Sequence, residues 1–199
     1  MTVVLTREIA EALIAEQGLD VVIPDGYTTI DDNAFHGAQL TSIVIPNSVT
    51  TIGYGAFEDT DLTSIVIPDG VITIGDQAFI GNSLKTVVIP DSVKSIGEDA
   101  FEGSLLQSIV IPDGVTTIDD EAFEDNLLFS AVIPDSVTFI GDKAFARNLL
   151  TTVYVPENAE VHPDAFGPEV QIVRRRIGSP IDIPYIPENP DWIELLVRL

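Results

Sequence analysis

The sequence predicts a mainly β repeat solenoid in which short parallel strands stack coil upon coil. Two observations carry that prediction. An Ile-Pro pair recurs every 22 residues, at Ile23-Pro24, Ile45-Pro46, Ile67-Pro68, Ile89-Pro90, Ile111-Pro112 and Ile133-Pro134, and returns as Val155-Pro156. An Ala-Phe pair follows 11 residues behind, ending at Phe35, Phe57, Phe79, Phe101, Phe123 and Phe145; the last copy is one residue short and ends at Phe166. A unit of this length cannot bury its apolar face alone, so neighbouring copies must stack. The expected organisation is a capping helix over residues 1–18, seven right-handed coils over 19–173, and a Pro-rich tail over 174–199 with a short terminal helix.

At the N-terminus, Thr6 is placed to cap a helix from Arg7 to Gln17 that stops at Gly18. Ile9, Leu13 and Ile14 share one face, while Glu8, Glu11 and Glu16 lie elsewhere. Such a helix seals the first coil; a partner-binding helix is the functional alternative.

Within a coil, Leu40-Thr-Ser-Ile-Val-Ile-Pro46 reads as a short strand. Alternation turns Ile43 and Ile45 inward and Ser42 and Val44 outward, with Leu40 inward one turn earlier. Pro46 cannot donate to a ladder and ends the strand. Ile45-Pro46-Asn47-Ser48 fits a type I turn with Pro at its second position. The turn's last residue alternates through Gly26, Ser48, Gly70, Ser92, Gly114 and Ser136, which indicates that a doubled unit was copied. Val49 and Ile52 then point inward, with Thr51 outward. Gly53, Gly75, Gly97 and Gly141, with Asp31 and Asp119 in the same place, are expected to need positive φ. Ala and Phe follow in a tight turn, and the seven phenylalanines are expected to form a spine.

The pattern Leu-x-Ser-Ile-x-Ile-Pro-Asp-Ser-Val-x-x-Ile-Gly-x-x-Ala-Phe resembles the BspA-like class of bacterial leucine-rich repeats over about three quarters of the chain. The resemblance implies surface-exposed proteins, several of them adhesins that bind host matrix proteins or other cells. The chain departs from that class in two respects. Thr60, Asn82, Ser104 and Asn126 stand where a cysteine often follows Ala-Phe, and no signal peptide or wall anchor is evident.

Composition narrows the function. The net charge is −23, and 25 acidic against 4 basic residues between Leu19 and Val173 place −21 of it on the repeats. That sign opposes binding to nucleic acid and to anionic membrane surfaces, and in itself serves solubility or a salty medium. With no cysteine there are no disulfides and no thiol chemistry. No apolar run approaches the ~20 residues of a membrane span. Arg7, Glu8, Glu11 and Glu16 interrupt any secretory leader, so the expected location is the cytoplasm or an exterior reached without a signal peptide.

Catalysis has little support. His36 and His162 are the two histidines and fall at opposite ends of the repeats, Asp119-Asp120 reads as solvated charge, and no nucleophile elbow, P-loop or HExxH helix occurs. No catalytic residue, cofactor or metal site is assigned. The column Asp25, Asn47, Asp69, Asp91, Asp113 and Asp135 offers one side chain per coil, too sparse for calcium, and is expected to bond local backbone N–H groups. The ladder Thr29, Thr51, Thr73, Ser95 and Thr117 resembles ice-binding arrays, but Lys94 and Phe139 break it.

The expected role is non-catalytic recognition of a protein partner, adhesion-related in character, through the outward face of the stacked strands. One outward column is Val22, Val44, Val66, Val88, Val110, Val132 and Tyr154. Beside it run Ser42, Ser64, Thr86, Ser108, Ser130 and Thr152, then Thr41, Thr63, Lys85, Gln107, Phe129 and Thr151. Variation concentrates at Lys85, Gln107, Phe129 and Tyr154, where a ligand could be distinguished. The alternative is a structural component or engineered scaffold that assembles through its tail. There Arg174, Arg175 and Arg176 could meet nearby acids, while Trp192, Leu195, Leu196 and Leu199 could close the last coil or dock on a second copy.

Overall fold

In the computed structural model, residues 2–179 are described. Each coil contributes two short strands, one on each side of a common core. The Val-Thr-Thr-Ile segments supply two-residue strands: β3 (Thr29–Ile30), β5 (Thr51–Ile52), β7 (Thr73–Ile74), β9 (Ser95–Ile96), β11 (Thr117–Ile118), β13 (Phe139–Ile140) and β15 (Glu160–Val161). With β1 (Val4–Leu5) ahead of them they form one parallel sheet of eight strands in chain order, so the stack has about eight turns rather than seven. The added rung comes from residues assigned to the cap. Helix α1 (Arg7–Gln17) follows β1, buries Ala10 and Leu13, and ends at Gly18, whose positive φ of 79° lets its N–H reach the Ile14 carbonyl at 2.8 Å. Thr6 occupies the cap position, but its side chain makes no capping hydrogen bond.

The Ile-x-Ile segments supply the opposite face: β2 (Asp20–Val22), β4 (Ser42–Val44), β6 (Ser64–Val66), β8 (Thr86–Val88), β10 (Ser108–Val110), β12 (Ser130–Val132) and β14 (Thr152–Pro156). Here the ladder is not continuous. β2 pairs with β4, β6 with β8 and β10 with β12, and the sheet breaks between the pairs. The last pair joins β14 to β16 (Gln171–Arg175), which carries regular structure past the boundary expected at Val173.

The turns explain the pairing. Within pairs, Ser48 Oγ donates to the Tyr27 carbonyl at 2.8 Å and Ser92 Oγ to the Val71 carbonyl at 2.7 Å. Between pairs, a Cβ on Gly70 would overlap the Asn47 carbonyl oxygen, and one on Gly114 would overlap that of Asp91. The turn backbones therefore press together where the strands part, and only glycine fits. This is the physical content of the Gly/Ser alternation. The turn itself starts one residue later than expected: Val49 N–H donates to the Pro46 carbonyl at 3.1 Å, so Pro occupies its first position and ends the strand by lacking a donor.

The expectation of positive φ at Gly53, Gly75, Gly97 and Gly141 is not met. Positive φ falls two residues later, at Asn33, Gly55, Gln77, Asp99, Glu121 and Lys143. The glycines are there because space is missing. Asp32, Asp76 and Asp120 each accept a backbone N–H from the next coil, at 2.9, 3.1 and 2.7 Å. Their carboxylate oxygens fill the volume that a Cβ on Gly53, Gly97 or Gly141 would need.

The core runs unbroken through the stack. The seven phenylalanines of the Ala-Phe pairs are all buried, with adjacent ring centroids 5.2–5.3 Å apart and planes within 13° of parallel. Beside this spine runs a buried polar ladder. Asn126 accepts from the Leu106 N–H at 3.0 Å and donates to the Phe101 and Phe123 carbonyls at 2.9 and 3.3 Å. Asn82 and Asn148 repeat the arrangement, and Thr60 bonds to Asn82 Oδ1 at 2.8 Å. Asn82 and Asn126 thus satisfy backbone groups of two coils that are out of reach of water, and Asn148 does the same where the ladder is part-buried.

Candidate recognition face

Exposed apolar surface gathers on the broken-ladder face. Val22, Val44 and Val66 are 54%, 55% and 66% exposed, against half-buried Val88, Val110, Val132 and Tyr154. A groove of about 680 Å³ runs across β4, β6, β8 and β10. Val44, Val66, Val88 and Val110 form its floor, Ser42 and Ser64 one wall, and Asn47, Asp69 and Asp91 the other. The three-residue strand positions these side chains: Ile65 turns into the core, so Ser64 and Val66 on either side of it must face out. The rim aspartates follow each Ile-Pro pair, so the groove combines an apolar floor with acidic turns.

The residues singled out from sequence divide over this surface. Val88 and Val110 line the groove, and Thr86 stays exposed on its strand. Lys85 and Gln107 are exposed but stand outside it. Phe129, Val132 and Tyr154 are half-buried beyond its C-terminal end. Ser108 and Ser130 are not outward at all: they are 6% and 2% exposed, and the Ser108 hydroxyl has no hydrogen-bond partner among the described residues. The centre of the face lies nearer the N-terminus than the variable positions suggested. Val44 and Val66, the most available apolar groups in the groove, belong to the outward valine column but precede the stretch from Lys85 to Tyr154 where variation concentrates.

Other sequence candidates serve structural ends. In the position just before the threonine ladder, Thr50, Thr116 and Thr138, which were not among the candidates, turn their hydroxyls to the carbonyls of the preceding coil, each at 3.1 Å. The turn aspartates do not make the expected local bonds among the described residues. Asp135 pairs instead with Arg175, which is 6% exposed and also donates to the Ile133 carbonyl at 3.1 Å. Arg174 donates to the Pro156 and Ala159 carbonyls, and Arg176 is exposed. Trp192, Leu195, Leu196 and Leu199 lie outside the described residues.

Among the described residues, two side-chain groups hold possible ligand atoms within 4.8 Å of one another: Asp142 with His162 and Asp164, and Asp99 with Glu102 and Glu121. Neither lines the groove. His162 Nδ1 lies 3.1 Å from Asp142, as His36 Nδ1 does from Glu58 at the other end of the stack.

The second group adjoins a buried carboxyl. Burial first, then the hydrogen bond and charge of Glu121, push Glu124 up to about 7. Glu121 is held below the usual range by its hydrogen bond to Lys143. Folding therefore traps a proton on Glu124 that the unfolded chain releases near the ordinary glutamate value. The associated stability is complete below that value and is lost as pH rises toward 7. Glu124→Gln should raise stability by about 2–3 kcal/mol at pH 8 and change it little at pH 4. Thermal melts of both proteins at the two pH values check this.

Residues 17–126 and 50–172 match the family model for the BspA-type leucine-rich repeat region, in six copies. No curated protein matches the chain. Among solved structures, a leucine-rich repeat protein from Bacteroides ovatus is 23% identical with a TM-score of 0.58, covering 80% of this chain and 52% of its own. A leucine rich cell surface protein from Faecalibacterium prausnitzii is 26% identical with a TM-score of 0.51, covering 77% and 52%. The pneumococcal vaccine antigen PcpA is 17% identical with a TM-score of 0.56, covering 79% and 51%. The chain spans about half the length of each. No helix among the described residues is long and apolar enough to cross a membrane.

Proposed function

Because the chain belongs to the BspA-type leucine-rich repeat family, we propose that it is a non-catalytic recognition module that docks a protein segment in the groove across β4 to β10. One observation carries the reading: a column of exposed valines on a rigid strand face, walled by aspartates. Water is displaced from the valines on docking, at roughly 25 cal/mol per Å² of apolar surface covered. The acidic rim and the charge of −23 select a partner whose apolar side chains are flanked by lysine or arginine. A place at the cell surface is supported by the description of the Faecalibacterium neighbour as a cell surface protein.

Arrays of synthetic peptides test this. The chain should retain peptides that combine apolar residues with lysine or arginine, and retention should weaken as salt screens the rim. Val66→Asp should lower affinity at least ~10-fold, a loss of about 1.4 kcal/mol. Thr73→Asp, on the other sheet, should leave it unchanged. Binding that follows Thr73→Asp and ignores Val66→Asp would refute the assignment of the face.

A further inference from the structure

The valine floor has an axial period, and that period selects the shape of what lies on it. Val44, Val66, Val88 and Val110 stand one per coil. The coils are 5.2–5.3 Å apart, as the stacked rings of Phe57, Phe79, Phe101 and Phe123 record. A segment lying along the groove crosses the strands and cannot extend their ladders. Its own backbone N–H and C=O groups therefore need partners while they rest on valine. An α-helix pairs those groups internally, and its pitch of ~5.4 Å matches one turn to one coil. An extended strand presents side chains to one face every ~6.6–6.8 Å, and after three steps runs about 4 Å ahead of the floor. A polyproline helix, at ~9.3 Å per turn, meets only every second valine.

The two walls differ in charge. Asp69 and Asp91 are exposed on the turn side, with Asn47 in line, whereas the other wall is Ser42 and Ser64. We propose that the partner segment is an amphipathic α-helix lying along the solenoid axis, with apolar residues at i, i+4, i+7 and i+11 over Val44, Val66, Val88 and Val110. Lysine or arginine occupies the flank that faces Asp69 and Asp91, and small or polar residues face the serine hydroxyls. The inference deepens the reading of the groove as a docking face and rests on it. The coils of Val44 and Val110 are three such steps, about 16 Å, apart. Positions i to i+11 of a helix span ~16.5 Å, so every apolar residue meets a valine.

Two sets of fluorescent peptides of about four helical turns and identical composition test the shape. One set carries leucine at i, i+4, i+7 and i+11 with lysine on one flank; the other alternates leucine and lysine. Anisotropy titrations of the full-length protein should show at least ~10-fold tighter binding of the helical set, and the bound peptide should gain helical circular dichroism. A central proline should cost a helical peptide at least ~10-fold. Val66→Asp should weaken the helical set although it adds negative charge to the face, which separates docking from charge attraction alone. Asp69→Lys should weaken it ~3–5-fold, and changing one flank lysine of the peptide to glutamate should restore part of that loss. Tighter binding of the alternating set, or a gain on adding proline, would overturn the helix; if Val66→Asp still weakened that binding, the docking face would stand. Helical peptides that bind Val66→Asp as well as the parent, or no binding by either set, would overturn both readings.

Discussion

Phe101→Ala should destabilise the protein by about 3–5 kcal/mol. The ring is fully buried and lies between those of Phe79 and Phe123, with centroids 5.2 and 5.3 Å away and planes within 8° of parallel. Truncation removes its apolar burial and leaves two flanking rings facing a cavity that a continuous stack cannot collapse to fill. Because each coil contacts only its neighbours, the defect also uncouples the halves on either side. Urea unfolding followed by circular dichroism should therefore show a lower midpoint and a broader or split transition. Ser108→Ala is the control, although not as an outward residue. Its hydroxyl is buried without a partner among the described residues, so its removal should be neutral or mildly stabilising. Equal losses in the two variants would contradict the account of the core.

Asn126→Ala should cost roughly 3 kcal/mol, through unsatisfied backbone groups rather than lost apolar area. The side chain accepts from Leu106 and donates to the carbonyls of Phe101 and Phe123, which tie neighbouring coils together at the edge of the spine. Removing it strands buried donors and acceptors that water cannot reach. Asn47→Ala, on an exposed turn and without side-chain bonds among the described residues, should stay within ~0.5 kcal/mol. Chemical denaturation of the two variants makes the comparison. A small loss at Asn126 would mean that the ladder is incidental.

The repeat was legible because its burial is periodic. Leu40, Ile45, Val49, Ile52 and Phe57 recur in step with their copies, which are buried except at the ends of the stack, where Tyr27 and Val161 are partly buried. The copying of a doubled unit was legible in Gly26, Ser48 and Gly70, but its consequence was not: that the strand ladder breaks after every second coil depends on how closely the turns approach. Glycine at 53 and 97 reads equally well as freedom of φ or as lack of room, and only the position of Asp32 and Asp76 decides for room. Asn82 and Asn126 left a usable signal, a polar residue three places after each core phenylalanine from Phe57 to Phe145. Sequence reasoning treated it as a missing cysteine instead of a buried hydrogen-bonding post. On the candidate face the valine column was readable, but its exposure varies along the stack from Val66 to half-buried Val132, which alternation within one coil cannot foretell. Variation marked Lys85 and Gln107, whereas the groove is built from residues that repeat.

The central functional claim is that the broken-ladder face receives the partner. Photo-cross-linking tests it most directly, with benzoylphenylalanine placed at Val66 in one protein and at Thr73 in another, and adducts mapped by mass spectrometry after exposure to surface extracts. The account predicts a discrete protein adduct from position 66, weakened by added salt, and none from position 73. Adducts from position 73 with none from position 66 would contradict it and move recognition to the continuous sheet.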